Sequence, residues 1–144
     1  MMKRLEYLRG ISDDECERLR RIGVRHTNQL IHVTTLVGDR GRVERRTGIP
    51  VDRLYALGQQ ASLMEISGLA RHLHLIVRLG ITSLRELGTS DPFQLHRRIS
   101  LAAGPAAAPS LQEVQYWVSQ ARYIDVVEDQ EDTTANRVNR WVSR

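Results

Sequence analysis

ISGLARHLHLIVRLGITSLREL, residues 66–87, contains two helical patterns with a break between them. Leu69, Leu73, Ile76 and Val77 recur at the interval of one helix face, and Gly68 stands at the entry. LGIT at 79–82 interrupts the pattern. Gly80 is a helix stop, and Ser83 with Glu86 has the spacing of a capping box opening a second, shorter helix. The stretch therefore reads as a tight pair of helices entered through one glycine.

An earlier segment repeats this layout. LRGISDDECERLRRIGVRHTNQLI, residues 8–31, also gives an apolar residue, a glycine, a helix, an apolar-Gly-apolar break, a polar cap and a short helix. The registers slip by one: Gly10 to Gly23 spans 13 residues, Gly68 to Gly80 only 12. Two such copies, at about 8–35 and 66–90, argue for a paired unit, since a solenoid needs at least three repeats.

Outward from these pairs the helix signals continue and strand signals are nearly absent. Ser12 and Glu15 form a capping box for the first helix, with Asp13 and Asp14 in its first turn, where the helix dipole favours anions. TNQLIHV reads as a helix capped by Thr27. DRGRVERRTGIP gives a third, starting near Asp39 and closed by Gly48 and Pro50. VDRLYALGQQASLMEI is a long connecting helix with Leu54, Leu57, Ala61 and Met64 in one stripe. Asp91 and Pro92 open another helix as cap and first residue. AAGPAAAP is a small-residue linker. SLQEVQYWVSQARYI then forms an amphipathic helix, with Ser110 and Glu113 as its capping box. The expected fold is all-α, one domain over 1–124. Residues 125–144 turn from acidic to basic, and the two readings are a disordered tail and a short docking helix with Val138 and Trp141 on its apolar stripe.

These pieces in this order resemble the uncharacterised bacterial family known as domain of unknown function 4332, which is built from tandem helix-hairpin-helix units. The resemblance runs from about Leu8 to Ile124. It rests on RGI and IGV within 9–24, RRTGIPVDRLYALGQQASLMEISGL at 45–69, LGITSLREL at 79–87 and PSLQEVQYWVSQA at 109–121. It implies two degenerate helix-hairpin-helix units packed with the connecting helix and the C-terminal amphipathic helix. The family has no established activity. By fold analogy alone, such hairpins contact nucleic-acid backbone, because glycines let backbone N–H groups approach a phosphate at a helix N-terminus.

The first hairpin suits that role poorly: Ser12 occupies the place of a second glycine, and Asp13, Asp14 and Glu15 put negative charge where a phosphate would sit. The second has no acid in its first turn and offers Ser67, Gly68, Arg71 and His72. A third candidate is the run Arg40, Arg42, Arg45 and Arg46, of which the last three lie close to one helix face. Such a run is more often a solvated face than a binding one. These eight residues are the expected nucleic-acid-binding set. Trp117, Val138 and Trp141 are the expected contacts if the chain instead binds a protein partner or itself.

Composition sets the limits. The 144 residues carry 21 basic and 17 acidic groups, net +4, too modest to establish nucleic-acid binding and not opposed to it. All basic residues but Lys3 are arginine, which suits phosphate and carboxylate partners and which a GC-rich genome would also produce. With Cys16 alone no internal disulfide forms, and no signal-length or membrane-length apolar run appears, so the expected location is the cytoplasm with no membrane partner. No phosphate-loop, dinucleotide or nucleophile-elbow motif occurs. His72 and His74 point about 200° apart on a helix, so they cannot share a metal. Cys16 lies among acids, which disfavours a thiolate. A non-enzymatic protein without cofactor or metal is expected.

Overall fold

The computed structural model describes residues 2–124. Eight α-helices follow one another: α1 Asp13–Arg21, α2 Thr27–Thr34, α3 Val37–Thr47, α4 Val51–Met64, α5 Leu73–Arg78, α6 Leu84–Gly88, α7 Pro92–Ala103 and α8 at 111–124. Short 3-10 turns precede α1 and α5, at Leu5–Tyr7 and Ala70–His72. No strand occurs among the described residues, only an isolated bridge between Arg4 and His26. The protein is all-α.

Local chemistry sets the helix boundaries. Ser12 and Glu15 make the reciprocal capping box of α1 at 3.0 Å in each direction. Ser83 accepts from the Glu86 N–H at 3.1 Å, and Ser110 from that of Glu113 at 3.1 Å. Asp91 caps α7 through the Phe93 N–H at 2.9 Å, with Pro92 in the first turn. Two boundaries differ from expectation. Thr27 is not the cap of α2 but its first residue. His26 is the cap, and buried Thr27 exchanges hydrogen bonds with Lys3, its N–H donating to the Lys3 carbonyl and its Oγ1 accepting from the Lys3 N–H. Helix α3 begins two residues ahead of Asp39, from Leu36, which offers no side-chain cap.

The internal repeat is visible in the backbone. Gly10 and Gly68 have φ of 78° and 82°, and Gly23 and Gly80 have φ of 88° and 89°, a region that side chains with a Cβ rarely enter. After each second glycine the chain closes the same way: Val24 N–H bonds to the Leu19 carbonyl at 3.0 Å, and Ile81 N–H to the Ile76 carbonyl at 3.1 Å. The one-residue slip lies at the entry. Ile11 and Ser12 separate Gly10 from α1, whereas Leu69 alone separates Gly68 from the 3-10 turn, and the helical runs that follow, 13–21 and 70–78, are equally long. The first half of 66–87 is not one helix from Leu69, as the apolar spacing suggests, but a 3-10 turn followed by six-residue α5.

One continuous core joins the two copies. Helix α4 runs between them with Leu54, Leu57, Ala61, Leu63 and Met64 buried, and packs on α2, α3 and α6. Its crossing with α2 is close: a Cβ at Gly58 would stand 3.0 Å from the Thr34 Cβ. Leu19, Leu30, Ile76, Leu87, Ile99, Val114 and Trp117 bring α1, α2, α5, α6, α7 and α8 to the same core.

Candidate functional site

The segment opening the second copy is built into the domain. Gly68 adopts the expected positive φ, and Ser67 is exposed. Two backbone N–H groups beside it are used within the chain: Leu69 bonds to the Ile66 carbonyl at 3.1 Å and His72 to that of Leu69 at 2.8 Å. Arg71 pairs with Glu113 of α8 at 3.6 Å. The His72 ring tilts against Trp117 with centroids 5.5 Å apart, and Trp117 Nε1 lies 3.9 Å from where a Gly68 Cβ would stand. Burial, with the Arg71 charge second, lowers the His72 pKa, and Glu113 opposes the shift. Gly68, Arg71 and His72 therefore clasp α8. Helix α5, less than two turns long, adds little dipole for an anion.

Trp117 is corrected in the same way. It is 1 % exposed and belongs to the core, so it offers no surface to a partner. Its position among Leu111, Val114, Val118 and Ala121 on the apolar face of an amphipathic helix already signalled burial. Val138 and Trp141 lie outside the described residues.

The arginines of α3 do not form one face of free charge. Arg40 donates to the carbonyls of Thr34 and Thr35 at 2.7 and 3.1 Å, satisfying the end of α2, and stacks over Tyr55 with 4.7 Å to the ring centroid. Arg42 lies 3.4 Å from Asp39. Arg45 and Arg46 are exposed, with no carboxylate in ion-pair distance among the described residues. The structure ties Arg71 to α8 and this group to α2 and α4, so the two sets sit against different neighbours.

A different surface stands out. Helix α7 buries Leu95 and Ile99 and turns a second row, Phe93, Arg97 and Leu101, to solvent. Leu101 is 81 % exposed and Phe93 61 %, two large apolar side chains two turns apart on one face. Arg97, between them, has no carboxylate partner among the described residues, and Arg98 donates to the Leu79 carbonyl at 2.9 Å. Positions 93, 97 and 101 fall two residues out of step with 95 and 99, roughly 200° around the helix, so the outer row is present in the sequence as a second i, i+4, i+8 series. In α8, Arg122 Nε donates to the Gly88 carbonyl at 2.5 Å, and Tyr123 is 71 % exposed.

Among the described residues no group of three His, Cys, Asp or Glu is placed to hold a metal. Buried Cys16 has its thiol pushed up by desolvation, with Glu6, Asp13 and Glu15 adding to the effect and Arg20 opposing it. No helix among them is long and apolar enough to cross a membrane.

Neither a curated protein nor a solved structure matches the chain. One protein family does, over residues 9–124, the span that holds both glycine-flanked helix pairs, α4, α7 and α8. The chain belongs to the family described as Domain of unknown function (DUF4332).

Proposed function

We propose that this chain is a non-enzymatic protein-interaction module whose contact surface is the outer row of α7, and whose partner segment combines carboxylates with apolar side chains. The observation behind this reading is the exposure of Leu101 and Phe93 on either side of Arg97, which has no carboxylate partner among the described residues. Aromatic side chains and arginine are enriched in protein interfaces, and an acidic partner would complement Arg97. The glycine-flanked pairs then serve as a rigid frame. Photo-cross-linking from position 93 in the full chain, in its own cells, tests the reading. A distinct protein should be captured through a peptide bearing acids and apolar residues, and lost with Leu101→Asp. Absence of any cross-link to another protein would count against it.

A nucleic-acid reading has one observation in its favour, the exposed Arg45 and Arg46 near the end of α3, which have no carboxylate partner among the described residues. It predicts affinity for labelled DNA or RNA at low salt that falls as salt rises and weakens in Arg45→Ala. Arg71→Ala should have little effect on that affinity, since Arg71 already faces Glu113. No binding at micromolar protein in low salt would sink this reading.

A further inference from the structure

We propose that the seat on the first helix pair now filled by the segment Lys3–Leu8 is an exchangeable docking site for the last turn of a partner's helix. The partner's turn carries two apolar residues three apart, with a carboxylate directly after the first. The segment Lys3–Leu8 is then the resident self-ligand of that seat, and the α7 row takes no part in it.

The internal repeat shows this seat twice. Tyr7 N–H donates to the Arg4 carbonyl at 3.1 Å and Leu8 N–H to that of Leu5 at 3.0 Å; Glu65 donates to Ser62 at 3.1 Å and Ile66 to Leu63 at 3.2 Å. Each turn buries its two apolar residues, Leu5 and Leu8 in one and Leu63 and Ile66 in the other. Each is followed two residues later by a glycine at positive φ, Gly10 or Gly68. The two occupants differ in where they come from. Ser62–Ile66 is the close of α4, a helix packed on α2 and α3 as well as on α6. The second seat therefore holds a helix end that arrives from the other half of the molecule, which identifies the kind of segment the seat accepts.

The two seats also differ in grip. In the second, the junction positions Met64, Val77 and Leu84 are apolar, as in a permanent contact. Their counterparts in the first are Glu6, Arg20 and Thr27. Glu6 pairs with Arg20 at the rim, where their side chains are 40 % and 38 % exposed, and such a pair is weak and screened by salt. Thr27 Oγ1 accepts from the Lys3 N–H at 3.2 Å, its N–H donates to the Lys3 carbonyl at 2.8 Å, and Arg4 and His26 form the isolated bridge. These are contacts that another backbone and another carboxylate can replace. A short segment held at a polar rim opens at lower cost than the core beneath it. Arg20 sets the charge of the incoming turn, and the seats of Leu5 and Leu8 set its apolar spacing.

A fluorescein-labelled peptide of residues 3–10, KRLEYLRG, tests this by anisotropy with the full chain. The tethered segment competes at an effective concentration near the millimolar range, so the parent should bind the peptide weakly, and Leu5→Ser should bind it about tenfold tighter or more. Arg4→Cys with His26→Cys locks the segment in place, because paired residues of an antiparallel bridge stand about 4.5–5.5 Å apart, within reach of a disulfide. The lock should abolish binding, and dithiothreitol should restore it. In Arg20→Glu the peptide carrying Glu6→Lys should bind better than the native peptide, the reverse of their order in the parent. Should Leu5→Ser lose helicity by circular dichroism, the lock and the charge exchange decide on folded chains. Binding indifferent to the lock overturns the proposal, as does a peptide order unchanged by Arg20→Glu. So does absence of binding, at about millimolar peptide, both to the parent and to Arg20→Glu with its matched peptide. Self-association of the parent that the lock abolishes overturns the foreign partner and makes the segment of a second copy the occupant. Leu101→Asp should leave peptide binding unchanged, so failure of this seat and failure of the α7 surface are read separately.

Discussion

Glu15 does two jobs that lie at different distances along the chain. Locally it accepts from the Ser12 N–H, the half of the capping box that the four-residue spacing announces. Its carboxylate also receives Arg53 Nε at 2.9 Å and Nη2 at 3.1 Å, while the same Nη2 holds the Gly10 carbonyl at 2.7 Å. That fork ties the entry of the first helix pair to α4, and it lowers the Glu15 pKa from 4.5 to about 2, chiefly through the Arg53 hydrogen bonds against the opposing cost of burial. Because the folded value lies below the unfolded one, this contribution is complete above pH 4.5 and is lost as the pH falls towards 2. Screening of the partly exposed pair leaves about 1–2 kcal/mol. Glu15→Gln should therefore unfold more readily in urea at pH 6 and show a flatter stability profile between pH 4.5 and 2; an unchanged profile would remove Arg53 from this role. Gly58 is a second residue whose importance is long-range. Gly58→Ala forces a Cβ against Thr34 across the α2–α4 crossing and should cost about 1–3 kcal/mol in thermal unfolding. Adding Thr34→Ala should restore part of that loss, where independent sites would simply add. The capping boxes were legible because both partners lie within one turn. Arg53, 38 residues from Glu15, and Thr34 opposite Gly58 were not, because nothing in a linear pattern names a neighbour across a helix crossing.

At the scale of elements, the second copy of the repeat shows how a packed neighbour overrides local pattern. Its apolar spacing suggests a helix from Leu69, yet Ala70–His72 form a tighter turn that sets Arg71 and His72 against Glu113 and Trp117 of α8. Arg71 and His72, two of the residues offered for phosphate binding by analogy with hairpins, are thereby set against α8. Arg71, His74 and Glu113 are the charged or titratable neighbours acting on His72, and desolvation dominates in lowering its pKa below 6.5. A lowered folded value means the neutral ring is the one the domain accepts, so stability is full above pH 6.5 and declines as the pH falls through the folded value. His72→Phe keeps a ring against Trp117 but cannot titrate; its melting temperature should lose the component of pH dependence just below pH 6.5 that the parent shows. Equal slopes in the two proteins would assign that pH dependence elsewhere. Helix α7 gives the opposite lesson. Both its rows are written in the sequence, but apolar spacing alone cannot tell which row the core takes, and only the packing of Leu95 and Ile99 leaves Phe93 and Leu101 outside.

For the whole molecule the decisive fact is that the two helix pairs do not own separate cores. Leu19 and Leu30 from the first pair, and Ile76 and Leu87 from the second, lie in one continuous apolar cluster with α4 between them. Polar links reinforce the join: the Gln60 side chain of α4 accepts from the Arg9 N–H at 2.8 Å and donates to the Arg9 carbonyl at 3.1 Å, next to Gly10 at the entry of the first pair. At the other end, the clasp of α8 on the Ala70–His72 turn and its contact with Gly88 place the only described tryptophan, Trp117, against the second pair. A unit that buries its apolar face in a core shared with α4 and the other pair has no stable state alone, so the pairs should unfold together. The full chain bearing Trp141→Phe isolates Trp117 as a probe of the second pair, while far-ultraviolet circular dichroism reports all the helices. In urea the two signals should give one midpoint and one slope. Glu15→Gln, which acts through the first pair, should shift the Trp117 transition by the same amount as the helical one. If Trp117 instead kept its midpoint while the helical signal moved or split, the two pairs would be separate folding units and the shared core would not be what holds them together.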